Sequence, residues 1–193
     1  RQLFPFALFY TLIMSEVILE IVEEFFQQRR YFTARHENLV LIKKNKKQSE
    51  PASDNGFIID ETTVENINAG IVKSVGWHTC KITTRILETF PEIIEFARDD
   101  QVKKFADWFN KEPFKKLLVI PQLPSHIELR EGVIKKLQDT GIDHLITIPT
   151  IIYGVIEKIQ PRKVYSSPIC DLLRILKFYN IISSTKQQME LPL

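Results

Sequence analysis

The stretch that decides the fold runs from Lys116 to Ile148. It opens with Lys116-Leu117-Leu118-Val119-Ile120, continues through Pro121-Gln122-Leu123-Pro124 and Ser125-His126-Ile127-Glu128, and closes with Gly141 and Leu145-Ile146-Thr147-Ile148. A short apolar run stopped by two prolines reads as a strand buried on both faces. Ser125 and Glu128 have the spacing of a capping box, in which two side chains satisfy free backbone N–H groups at a helix start. Ile127, Val133, Ile134 and Leu137 then recur along one helical face, and Gly141 ends the helix. The second apolar run is another strand. Strand, helix and strand in this order form a right-handed crossover between parallel neighbours.

Upstream, Val17, Ile18, Ile21, Val22, Phe25 and Phe26 recur at helical spacing, so a helix is expected from Met14 with Ser15 as its cap. Tyr31 to Arg35 and Leu39 to Ile42 are β-rich and turn back at His36-Glu37-Asn38, while residues 43–56 read as an exposed, mobile loop. Phe57 to Ile59 and Gly70 to Val75 are further candidate strands, separated by a polar stretch from Asp60 to Asn68. Asp99 to Phe109 is an amphipathic helix carrying Val102, Phe105, Ala106 and Phe109. Ser167 before Pro168 marks another helix start, with Leu172, Leu173, Leu176 and Tyr179 on one face of a helix reaching Ile182. The expectation is an α/β fold with a mixed central sheet flanked by helices. Residues 14–182 read as a single domain, residues 1–13 as an N-terminal arm and residues 183–193 as a loose tail.

Composition removes several functions. At 193 residues with a net charge of +2, the chain lacks the bulk charge of a protein that coats nucleic acid. Its six glycines stand singly, so none forms the closely spaced set that cradles a nucleotide phosphate. Cys80 and Cys170 form neither a CxxC zinc knuckle nor a disulfide framework, which fits a reducing cytoplasm. Leu3 to Met14 is apolar but shorter than the roughly twenty residues that span a bilayer, so no membrane is expected as a partner.

Helix, meander and crossover in this order resemble the core of the restriction-endonuclease-like, PD-(D/E)xK nuclease superfamily. Gly70-Ile71-Val72-Lys73-Ser74-Val75-Gly76-Trp77-His78-Thr79 is similar to the strand that bears (D/E)xK, followed in some bacterial members by Gly-Trp-His-Thr. Val22 to Phe32 is similar to the first helix and the strand after it, and Leu117 to Pro149 to the later crossover, so the resemblance spans residues 14–150. It implies nuclease chemistry. Carboxylates on two neighbouring strands hold Mg²⁺, and a lysine two residues after the second carboxylate shares its face and stabilises developing charge.

The chain departs from that pattern. Anchored just before Gly-Trp-His-Thr, the acid and lysine positions fall on Lys73 and Val75; with Lys73 as the motif lysine, the acid position is Ile71. For the first-strand aspartate, one register offers Asn38 and the other Asp60. The catalytic candidates are therefore Asp60 and Lys73, with Mg²⁺ as cofactor only if catalysis survives and no metal site assigned. Each candidate has an ordinary reading beside the functional one: Asp60 as a turn cap, Lys73 as an edge-strand charge. Trp77 and His78 stack on a base or line a cleft in one reading, and serve the core and its caps in the other. Arg29, Arg30, Arg35, Lys43, Lys44, Lys46 and Lys47 face only Glu37, a local charge able to dock DNA or RNA phosphates, or a solvated surface.

The expected function is thus a restriction-endonuclease-like domain, catalytically degenerate and binding nucleic acid. The alternatives are an assembly protein that forms a homodimer through its N-terminal arm or its last helix, and an active Mg²⁺ nuclease.

Overall fold

A computed structural model of the chain describes residues 16–44, 56–76, 81–110 and 112–182. Their five strands lie in chain order across one sheet, so sequence neighbours are also sheet neighbours. β1 (Tyr31–Arg35), β2 (Leu39–Lys43) and β3 (Ala69–Ser74) form an antiparallel meander; β4 (Lys115–Ile120) and β5 (His144–Thr147) continue it in parallel. Connections dictate these directions. The tight turn at residues 36–38 can only reverse the chain, whereas a helical crossover before β4 and another before β5 return it to the same end.

Helices cover both faces. α1 (Glu16–Gln27), α6 (Ile148–Lys158) and α7 (Pro168–Phe178) lie on one, where Val22, Phe25, Phe26, Ile151, Val155 and Cys170 pack on Leu39, Leu41, Val72, Leu117, Val119 and Ile146. α2 (Thr84–Thr89), α3 (Glu92–Glu95), α4 (Asp99–Ala106) and α5 (Ile127–Asp139) lie on the other, where Leu87, Ile93, Phe105, Val133 and Leu137 pack on Val40, Ile71, Leu118, Ile120 and Leu145. Alternate strand residues enter opposite cores, the two-residue period of a sheet buried on both sides. The expected α/β architecture with a mixed, helix-flanked sheet is what forms.

Several local expectations need correction. Ser125 and Glu128 make no capping box: α5 starts at Ile127 with His126 before it and no side-chain cap, and the Ser125 hydroxyl instead receives the Lys81 ammonium at 2.9 Å. Ile127 is exposed, so the buried face of α5 is carried by Val133 and Leu137. Phe57 to Ile59 forms no full strand; Ile58 bridges Leu145 at the outer edge of β5, and the polar stretch after it holds a 3-10 turn at Thr63–Asn66. β5 ends at Thr147 because that hydroxyl accepts from the Thr150 amide and caps α6. The Asp99 helix gives way to a 3-10 turn at Asp107–Phe109, and α7 stops at Phe178 rather than Ile182. Leu172 and Tyr179, expected on a buried face, are exposed, while Leu173 and Cys170 pack inward.

Two glycines do specific work. Gly141 sits at φ +84°, the left-handed conformation that lets the chain leave α5 and enter β5. Gly154 lets α6 lie against α1: a Cβ there would meet Phe25 Cε2 at 2.7 Å and Arg29 Nη2 at 2.6 Å. Among the described residues, no helix is long and apolar enough to cross a membrane. The N-terminal arm, the Ser15 cap, Lys46, Lys47, Trp77, His78, Cys80 and the C-terminal tail lie outside the described residues.

Candidate functional site

The antiparallel register fixes what faces what. Leu39 pairs with Val72 as the last pair of the β2–β3 ladder, so Asn38, in the turn just before β2, and Lys73, one residue on in β3, both lie at this end of the sheet. Directly paired residues share a sheet face, and so do residues two apart on one strand. Ile71 and Lys73 therefore share one face of β3, and Asn38 lies in the turn at the end of the sheet where β2 begins and β3 finishes. A cavity of about 180 Å³ opens at this end. Its wall includes Arg35, His36, Asn38 and Lys73 together with Ser74 and Glu92.

The groups around it differ sharply in their engagement. Asn38 is only 7% exposed, yet its Oδ1 has no hydrogen-bond partner. Burying an amide oxygen without a partner costs on the order of 1–3 kcal/mol. Asn38 is the residue lining this cavity that bears such an atom, others being Gln28 and His144 elsewhere in the fold. Lys73 is half-buried and makes no hydrogen bond or ion pair among the described residues. Arg35 is committed: its Nε and Nη2 both lie on Glu23 Oε2, at 2.6 Å and 2.5 Å, and Glu23 Oε1 accepts from Thr33. His36 stacks on Trp108 with ring centroids 4.4 Å apart, tying the β1–β2 turn to the 3-10 turn after α4.

Asp60 and Lys73 are not brought together. Asp60 follows the bridge at the far edge of β5, and its neighbours Ile59 and Val64 enter the core under α1 and α6, the face opposite Lys73. Its Oδ1 accepts from the Thr62 and Thr63 amides, at 3.0 and 2.9 Å, and from both threonine hydroxyls at 2.8 Å. Those bonds hold its carboxyl well below the usual carboxylate range, as expected of an acceptor in a tight turn. Asp60 is a turn residue.

The basic stretch also separates. Arg29 is a correction: it is 3% exposed, its Nε donates to the Glu61 carbonyl at 3.1 Å, Nη1 to Phe25 at 3.0 Å and Nη2 to Gly154 at 3.5 Å. Its guanidinium also covers the Phe25 ring at 3.7 Å. Burial pulls its pKa below the ordinary arginine value, with Glu65, Glu61 and Glu157 opposing the shift. A cation so enclosed joins α1 to α6 and cannot reach a phosphate. Lys43 donates to the Glu65 carbonyl and sits 4.9 Å from the Tyr31 ring, and Lys44 lies 4.8 Å from Phe32. Arg30, Lys43 and Lys44 mark one end of the β1–β2 hairpin; Arg35 and Lys73 mark the other, about 13–17 Å away for five-residue strands.

Mg²⁺ does not fit this end of the sheet. At the motif positions Asn38 offers a neutral oxygen, Ile71 is apolar and only 1% exposed, and Lys73 brings positive charge, whereas Mg²⁺ takes anionic oxygens in octahedral geometry. The carboxylates in the cavity wall, Glu37 and Glu92, lie outside those positions. Among the described residues, no three His, Cys, Asp or Glu side chains converge as a metal site. Nor does Cys170 offer a nucleophile. Burial and the Glu24 carboxylate, 3.2 Å from Sγ, push its thiol up to about 12.

Residue patterns alone pointed to Asn38 and Lys73 as motif positions, but not to their shared cavity or to the His36–Trp108 pair. The turn after β1 and the turn after α4 lie far apart in the chain, and no local periodicity reports such a contact. No family model, curated protein or solved structure matches the chain.

Proposed function

We propose that the chain is a restriction-endonuclease-like domain that binds nucleic acid and does not cleave it. One observation carries this reading. Of the positions to which the resemblance assigns two carboxylates and a lysine, Asn38 and Lys73 line one cavity at the end of the sheet, and Ile71 lies in the core two residues before Lys73. The meander followed by two parallel strands supports the same frame. Without carboxylates at the motif positions, the motif supplies no anionic cage to hold a divalent cation or lower the pKa of its water. The lysine remains, with its ammonium free to meet a phosphate.

The test is retention of a labelled oligonucleotide at low salt. Binding should weaken as salt rises, and Lys73→Ala should lower affinity about three- to tenfold, the loss expected for one phosphate contact. Unchanged binding by the Lys73→Ala protein would remove the site from the account.

A second reading, self-assembly, has its own observation. Leu172, Ile175 and Phe178 are exposed along α7, with Tyr179 directly after it, a row of large apolar side chains suited to a second copy of the chain. Sedimentation velocity distinguishes them. A dimer dissociated by Leu172→Glu with Phe178→Glu supports assembly, and a monomer at all concentrations excludes it.

A further inference from the structure

We infer that the cavity at the end of the sheet, where β2 begins and β3 finishes, takes a single unpaired nucleobase, with the strand's phosphate at Lys73. The inference rests on the nucleic-acid reading above and states which part of the polymer the site holds. Three observations point inward. The Asn38 amide is buried in the cavity wall, and its oxygen lacks a partner. An amide presents one donor edge and one acceptor edge, the pattern that pairs with the edge of a heterocyclic base. Leu19, Leu39, Val72, Val75 and Ile93 give the wall apolar surface for a flat ring, and its carboxylates, Glu37 and Glu92, disfavour a phosphate or a free anion inside it.

The size agrees. About 180 Å³ is below the roughly 300–1,000 Å³ of drug-sized sites and suits one planar ring system. Outside it, His36 lies in the wall and stacks on Trp108, whose ring is 41% exposed. That exposed indole offers a stacking platform for the next base, a contact tolerant of sequence and available only where bases are unpaired. Lys73, in the same cavity wall as Asn38, supplies the charge for the backbone between them. A duplex keeps its bases inside the stack, so a single strand is the matching partner.

The experiment compares three labelled oligonucleotides of equal length by fluorescence anisotropy: a single strand, the same strand with abasic sites at its centre, and the duplex. The single strand should bind at least tenfold more tightly than either of the others. Asn38→Leu should bring the single strand to within threefold of the abasic one while leaving abasic binding unchanged. Because Asn38 is buried, Trp108→Ala serves as a second variant on an exposed residue and should shrink the same preference. Equal affinity for the single and abasic strands overturns the base pocket but leaves nucleic-acid binding standing, as does equal affinity for the duplex. Failure of all three to bind overturns both. A preference that survives both substitutions also overturns the pocket.

Discussion

Arg29 shows how an apparent surface cation becomes a structural one. Three backbone carbonyls, from Phe25, Glu61 and Gly154, converge on its guanidinium, and removing it takes away a donor from each and the packing on the Phe25 ring. Arg29→Ala should therefore destabilise the fold by about 3 kcal/mol, measured by urea denaturation, whereas Arg30→Ala, on an exposed neighbour, should leave stability within about 0.5 kcal/mol. Nothing in the local sequence separates these adjacent arginines. Helical phase and a carbonyl from α6 decide which is enclosed, and both are tertiary facts. His144 carries the pH dependence. Burial first, and then the Lys115 charge, lower its pKa below the usual 6.5, against the opposing pull of Asp143. The unfolded chain then binds a proton that the folded chain resists, so stability is full above the unfolded pKa and falls as pH drops below about 6.5. Denaturation midpoints measured from pH 7.5 to 5 should fall, and His144→Gln should flatten that slope; an unchanged slope would exclude His144 as the source.

At the level of elements, the contact between α1 and α6 depends on Gly154. A larger side chain there meets the Phe25 ring and the Arg29 guanidinium together. Gly154→Val should cost about 1–3 kcal/mol by overpacking, while an equal substitution at the exposed helical Gly132 should leave stability unchanged or raise it by up to about 0.5 kcal/mol, as read from thermal unfolding. The strand-helix-strand unit around β4, α5 and β5 was legible because its apolar runs are interrupted by prolines and Gly141 at the true boundaries. The first meander turn was legible for a similar reason, since β-rich runs flank a polar triplet. α6 was not. Ile148 to Ile156 is nearly apolar all round, with β-branched residues and a glycine, so neither period nor propensity announces a helix. Only burial between α1 and β5 makes that composition consistent. The supposed capping box at Ser125 failed for a related reason: the same four residues satisfy the spacing, but Lys81 claims the hydroxyl.

For the whole molecule, the order of strands places the start of β2 and the end of β3 at one end of the sheet, beside α1 and α3. This geometry gathers Asn38 and Lys73 from positions more than thirty residues apart and leaves Asp60 on the opposite face. The motif positions could be read from the chain, but the choice between Asn38 and Asp60 could not. It depends on which strand end meets β3, and two registers were compatible with the residue pattern. The same topology divides the basic stretch between two ends of the hairpin, so affinity for a nucleic acid should follow Lys73 rather than Arg29. The most direct test of the central claim is one incubation of the protein with labelled single-stranded and duplex oligonucleotides in Mg²⁺, read both for retention and for strand length. The account predicts retained strands of full length. Strand scission in Mg²⁺ that EDTA abolishes, or no retention at low salt, would contradict it.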